Sequence, residues 1–207
     1  MMRFSISLFL LLTLNSCALS LTKNLRELPT DRFIVTNTYF SDSDLDYVYK
    51  AKLDLYGNYF GGILIIKKIG PREHRVVFTS EFGTKLFDFL LKKDKFTVLS
   101  IVEDLDKNLI INTLRTDFQT LLQTEAEVIG KWVATTHVLY KTKAEGRFDF
   151  YKYDIASDKV DELQEIVHTS ATKEKFSIIF EAMDKQIAEK ITIRHQNINL
   201  TIRLEKF

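Results

Sequence analysis

One cysteine, two prolines and seven glycines in 207 residues leave this chain little with which to be stapled, kinked or loosened. The lone Cys17 can close no intramolecular disulfide, so stability has to come from a core. Neither sign of charge dominates, with 29 Lys and Arg against 28 Asp and Glu. A nucleic-acid partner would call for a basic excess, and none is expected. The glycines, at 57, 61, 62, 70, 83, 130 and 146, form neither a nucleophile elbow nor a phosphate-cradling loop. His74, His137, His168 and His195 are scattered, with no second His or Cys at metal-ligand spacing. His74 and His195 fall in expected strands, where pairing across a sheet is open. Asp88 alternates away from Phe87 and Phe89, which reads as a solvated face. Glu103, Asp104 and Asp106 read as helix-start charges favoured by the dipole. The expectation is a protein without catalysis, metal or cofactor.

What is present begins with "MMRFSISLFLLLTLNSCALS". Arg3 supplies a positive end and Phe4 to Leu14 an apolar run, too short for the ~20 residues of a spanning helix. This is the pattern of an export signal. It closes on Leu14-Asn15-Ser16-Cys17, which resembles a bacterial lipobox, with Asn15 standing where Ala or Ser is usual. The alternative for Cys17 is a chance free thiol. The resemblance implies cleavage before Cys17, a diacylglyceryl group on its sulfur and acylation of the new N-terminus. Such an anchor is durable, since each buried methylene contributes about 0.8 kcal/mol. The expected division is a signal over 1–16, a tether over 17–30 and one β domain over 31–207. Loss of 1–16 removes only Arg3, leaving 28 charges of each sign. The absence of an acidic patch after the cysteine favours a lipid-anchored, periplasm-facing protein of the cell envelope.

From Asp46 to Val102 the pattern is β. In "YVYKAKLDLY", Tyr47, Tyr49, Ala51, Leu53 and Leu55 share one side, and Lys50, Lys52 and Asp54 the other. In "YFGGILIIKKI", Ile63 and Ile65 face one way and Leu64 and Ile66 the other, so that strand is apolar on both faces. "REHRVVFTSE", "TKLFDFLLKK" and "KFTVLSIV" complete a five-stranded antiparallel meander. The period then changes. Leu105, Leu109, Leu114, Phe118, Leu121 and Leu122 form a helical stripe, with Asp104 or Asp106 as its cap and core packing as its ordinary role. Strand patterns return in "WVATTHVLYKT", "GRFDFYKYD", "KFSIIFEAM" and "KITIRHQNINLTIRLEKF", while "SDKVDELQEIV" has no decisive period.

Two features need explaining. Ser80-Glu81-Phe82-Gly83 is a hairpin connection carrying a phenyl ring, whose burial is worth about 2 kcal/mol. The ring either folds back beneath the hairpin or projects from it. Strands apolar on both sides must also bury a second face, against another sheet or around a cavity.

The stretches "GGILIIKK", "RVVFTSEFGTKLFDF", "KFTVLSIVEDL" and "IINTLRTDFQTLL", with the closing "KITIRHQNINLTIRLEKF", resemble in order and pattern the LolA/LolB-type lipoprotein localisation factors, in particular the lipid-anchored LolB type. The resemblance covers about half of the chain beyond the signal. It implies a β-rich α+β single domain: an antiparallel unclosed β-barrel, or half-barrel, with a helical lid. It further implies an apolar hollow for acyl chains and transfer of lipoproteins or lipid to the outer membrane. A soluble periplasmic carrier is then a partner, alongside the membrane and the acyl chains. The hollow is expected to be lined by Ile63, Ile65, Phe78, Phe87, Leu114 and Phe118. Phe82 and Gly83 match the family's projecting tip, with Glu81 where proline is common. The alternative is a lipid-anchored envelope binding or assembly module with a filled β core.

Overall fold

The computed structural model describes residues 19–207 except 94, 145–146, 157–160 and 183–185. The expected signal and Cys17 lie outside the described residues. A 3-10 turn, Ser20–Thr22, precedes strands β1 (Arg26–Leu28), β2 (Ile34–Thr36), β3 (Asp46–Leu55), β4 (Asn58–Gly70), β5 (Glu73–Ser80), β6 (Lys85–Lys92) and β7 (Lys95–Ile101). Helix α1 (Asn108–Leu122) follows. The chain ends in β8 (Glu125–Val133), β9 (His137–Ala144), β10 (Arg147–Asp154), β11 (Leu163–Thr169), β12 (Glu174–Ala182), β13 (Ala188–His195) and β14 (Leu200–Lys206).

These strands form one antiparallel sheet in the order β1-β8-β9-β10-β11-β12-β13-β14-β3-β4-β5-β6-β7, with β2 also on β8. Two meanders, β3 to β7 and β8 to β14, meet where β14 pairs with β3, from Leu200↔Leu55 to Lys206↔Tyr49. The outer ends, β1 and β7, are joined by no ladder among the described residues, so the sheet is unclosed. The segment containing α1 leads from the edge strand β7 to β8, near the other edge.

Alternation decides which side of each strand is buried. Tyr47, Tyr49, Ala51, Leu53 and Leu55 of β3 are buried while Lys50 and Lys52 are exposed. In β4, Leu64 and Ile66 are buried and Ile63 and Ile65 only half-buried. Gly62 is needed where β4 meets β5, because a methyl group there would lie 1.9 Å from the Thr79 carbonyl oxygen. Helix α1 packs Leu114, Phe118 and Leu121, all fully buried, into the same core as the inner faces of β3, β5 and β6. Its Phe118 ring lies 5.8 Å from Phe87 and 6.2 Å from Phe89, which are stacked on each other at 4.3 Å. Burying each such side chain contributes roughly 2 to 3 kcal/mol.

Several expectations need correction. The helix starts at Asn108 with Lys107 as N-cap and no side-chain cap, so neither Asp104 nor Asp106 caps it. Both precede the cap position, in a turn closed by the Leu105 and Asp106 amides donating to the Val102 carbonyl. Asp88 does point away from Phe87 and Phe89, yet it is not solvated. Arg75 and Lys85 close over it with bonds of 3.0, 2.8 and 2.9 Å, leaving it 2% exposed. The Arg75 bond, with Lys85 behind it, holds its carboxyl below the usual range despite burial. His74 and His195 do not pair: His74 Nε2 lies 3.1 Å from the Phe40 carbonyl, and His195 meets Asp117 of α1.

The expected tether is also largely docked. Leu19 packs on Phe150 and Val167, joined by Leu21, Trp132 and Phe148, in a cluster separate from the main core. Ser20 Oγ donates to Glu174 Oε1 at 2.6 Å, and β1 pairs with β8 from Arg26↔Val133 to Leu28↔Lys131. Leu19 and Leu21 find an aromatic patch on the outer face of the sheet, which is reason enough for this segment to lie down.

Phe118→Ala is expected to lower unfolding stability by about 3 to 5 kcal/mol, as large-to-small changes in a packed core do. Urea denaturation followed by far-UV circular dichroism measures it.

Candidate functional site

The β5–β6 hairpin is built to hold its tip firmly. The Gly83 amide donates to the Ser80 carbonyl at 2.9 Å, and the Ser80 amide to the Thr84 carbonyl at 2.8 Å. Thr84 N also reaches Ser80 Oγ at 3.1 Å. Gly83 takes φ +82°, a conformation that a side chain would strain. The outcome is a three-residue loop with Phe82 at its crest, 97% exposed. Of the two dispositions open from sequence, the ring projects.

Antiparallel pairing brings other connections to the same end of the sheet. Gly62 pairs with Ser80, and Leu55 with Asn58, so the β3–β4 turn stands at the same end of the sheet as the Phe82 tip and runs on past it. That turn carries Tyr56 at φ +51° and Gly57 at φ +81°, the left-handed pair of a two-residue hairpin. Tyr56 is 60% and Tyr59 78% exposed. Sequence reading passed over these rings, although Tyr-Gly-Asn-Tyr is a turn with aromatics on both sides. The Tyr56 amide donates to Asn199, which adds the β13–β14 loop to this rim.

The expected acyl cavity is brought together only in part. Phe78, Phe87, Leu114 and Phe118 are all buried in the main core, with Phe78 and Phe87 rings 5.3 Å apart. Ile63 and Ile65 lie on the opposite face of β4 from Leu64 and Ile66, outside that set. Two open concavities lie elsewhere. One, of about 190 Å³, is bounded by Arg32, Tyr39, Tyr153 and Asp161; its Arg32 is already paired to Asp161 at 2.8 Å. The other, of about 520 Å³, lies between Leu19 and Ser20, the 172–175 turn and Gln196.

Beneath the rim the inner face carries a polar row. Register places Asp149, His168, Phe176 and His195 directly opposite one another on β10, β11, β12 and β13. His168 Nδ1 lies 2.6 Å from Asp149 Oδ1, and the Phe176 ring stands 4.8 Å from His168 and 5.0 Å from His195. From α1, Asp117 reaches His195 Nε2, with its two oxygens at 3.0 and 3.1 Å. The aligned bond goes to Oδ2, and among the described residues Oδ1 has no hydrogen-bond partner, nor does the buried Tyr151 hydroxyl. Burial pushes the Asp117 carboxyl above its ordinary range, against the opposing pull of the His195 bond. Sequence gave no access to this arrangement, because the pairing partners are 19 and 78 residues apart.

No protein-family model matches the sequence, and no curated protein matches it. Among solved structures the chain is similar to a Vibrio parahaemolyticus domain described as outer membrane lipoprotein-sorting, at 7% identity over 78% of this chain and 83% of that one. The TM-score is 0.38. That neighbour is of the class named by the sequence resemblance. A superposition of this quality carries no argument about what this chain does.

His195→Ala leaves the buried Asp117 carboxyl without its partner and is expected to cost about 3 to 5 kcal/mol near neutral pH, as removal of one member of a buried pair does. A carboxyl with a raised folded pKa favours folding below its unfolded value and loses that contribution as pH rises through the folded one. The penalty of His195→Ala therefore shrinks on acidification, where Asp117 takes up a proton. Urea melts of both proteins at neutral and acidic pH measure the difference.

Proposed function

We propose that this chain is a lipid-anchored envelope protein, facing the periplasm at the outer membrane, that binds acyl chains and takes part in lipoprotein or lipid transfer to that membrane. The observation that carries the reading is Phe82, held fully exposed by an ordered hairpin. An apolar ring kept in water forgoes about 2 kcal/mol that burial would supply, and insertion into a bilayer recovers it. In this reading Cys17 bears the acyl anchor, the unclosed sheet acts as a half-barrel, and α1 is its lid. The space for a guest chain lies between α1 and the sheet, where Phe78, Phe87, Leu114 and Phe118 now meet one another. The protein works as a carrier and not as an enzyme, in exchange with a soluble periplasmic partner.

A second reading is favoured by that same packing. A core filled by its own rings suits an anchored binding or assembly module that holds no lipid. Displacement of a fluorescent fatty acid separates the two: saturable binding supports the carrier, and no binding below denaturing concentrations supports the module.

Phe82→Glu is expected to leave the melting curve unchanged while abolishing transfer of acylated cargo to liposomes. Unchanged transfer removes the tip from the mechanism. Cys17→Ser is expected to abolish incorporation of labelled palmitate and to release the protein from the membrane fraction, read by extraction and mass measurement.

A further inference from the structure

We propose that the end of the sheet bearing Tyr56, Tyr59 and Phe82 is the membrane-facing end of the molecule, fixed on the bilayer interface by an N-terminal clasp at Leu19–Thr22. This rests on the reading above that Cys17 is acylated.

The argument is one of where the chain arrives. Leu19 is buried against Phe150 and Val167, Ser20 is bonded to Glu174 at the start of β12, and both border the 172–175 turn and Gln196. Those connections lie at the same end of the sheet as the aromatic hairpins. His195 pairs with Phe176, Leu200 with Leu55, and Gly62 with Ser80, so the β11–β12 turn, the β13–β14 loop, the β3–β4 turn and the β5–β6 tip follow one another along a single rim. At about 4.8 Å per strand, β12 to β5 spans about 25 Å. Residue 17 is two residues from Leu19, a reach of at most about 7 Å. Acyl chains on Cys17 therefore enter the bilayer beside the rim that also carries the exposed rings.

The chemistry of the rim suits that place. Tyr56 and Tyr59 combine an apolar ring with a hydroxyl, the kind of side chain that settles at headgroup depth, and Phe82 adds at the same end an exposed ring with no polar atom. Tyr56 is held at a positive φ that costs a residue with a Cβ on the order of 1 kcal/mol, a place where Asn or Gly would be at ease. The opposite end also exposes Phe207 and Ile69, but the clasp does not reach it. A flexible tether would let the protein tumble over the membrane. A clasp that ends at the rim sets one orientation, with the strands rising from the surface and α1 and the polar row just above it.

The test uses the full acylated protein in vesicles of phosphatidylethanolamine and phosphatidylglycerol. Acylation occupies the chain's one native thiol, so a single cysteine placed at Asn58 or at Arg72 takes a nitroxide label alone. Expected is an accessibility to a water-soluble nickel chelate several-fold lower at 58 than at 72, with oxygen accessibility higher at 58. Leu19→Ser, which removes the clasp contact and leaves the main core intact, is expected to bring the two sites to equal accessibility with the melting curve retained. Equal accessibility in the acylated parent, or shielding at 72 instead, overturns the orientation even where the anchor is confirmed by mass. A chain that carries no acyl groups overturns both the anchor and the inference.

Discussion

The contact on which the rest of the structure depends is the seating of α1 on the inner face of an open sheet. A single sheet of this length has an apolar face far too large to leave in water, and no second sheet covers it among the described residues. The helix supplies that cover with Leu114, Phe118 and Leu121, and Phe118 closes on the Phe87–Phe89 stack. Asp117 adds a polar tie on the same helical face, where a carboxylate is tolerable only because His195 waits opposite. Removal of the helix would expose the core of both meanders at once.

The two sides of the sheet have different tasks. Its inner face holds the main core and the row from Asp149 to His195. Its outer face receives the N-terminal segment, through Leu19 and Leu21 on an aromatic patch. One end gathers the exposed rings of Tyr56, Tyr59 and Phe82. A protein that hides most of its large apolar side chains and still presents three rings on two ordered, hydrogen-bonded hairpins is not merely short of room.

Much of this is legible in the amino-acid sequence. The β3 alternation named its buried side residue by residue, the helical stripe found Leu114, Phe118 and Leu121, and Ser80 to Gly83 gave the tip. Where the reading stopped, the reason is physical. Alternation says which residues share a side and not which side is inner, so Ile63 and Ile65 were grouped with rings that they do not meet. Leu109 fell on the stripe by spacing but is 63% exposed, because the helix begins only one residue before it. Asp88 was assigned the correct side and the wrong environment, since the long arms of Arg75 and Lys85 that cover it belong to a neighbouring strand and an earlier residue of its own. The Asp and His pairs depend on register between strands distant in the chain, and composition holds no trace of it.

The seam between the meanders has a consequence for assembly. Because β14 is the neighbour of β3, the strand that is made after all the others of the sheet occupies its middle. Until they arrive, the first meander has a raw flank of unpaired amides at β3, and the second has nothing to close against. Order of synthesis within the sheet and order of completion are thus opposed, and the two halves become one body only when β14 slots in as a keystone.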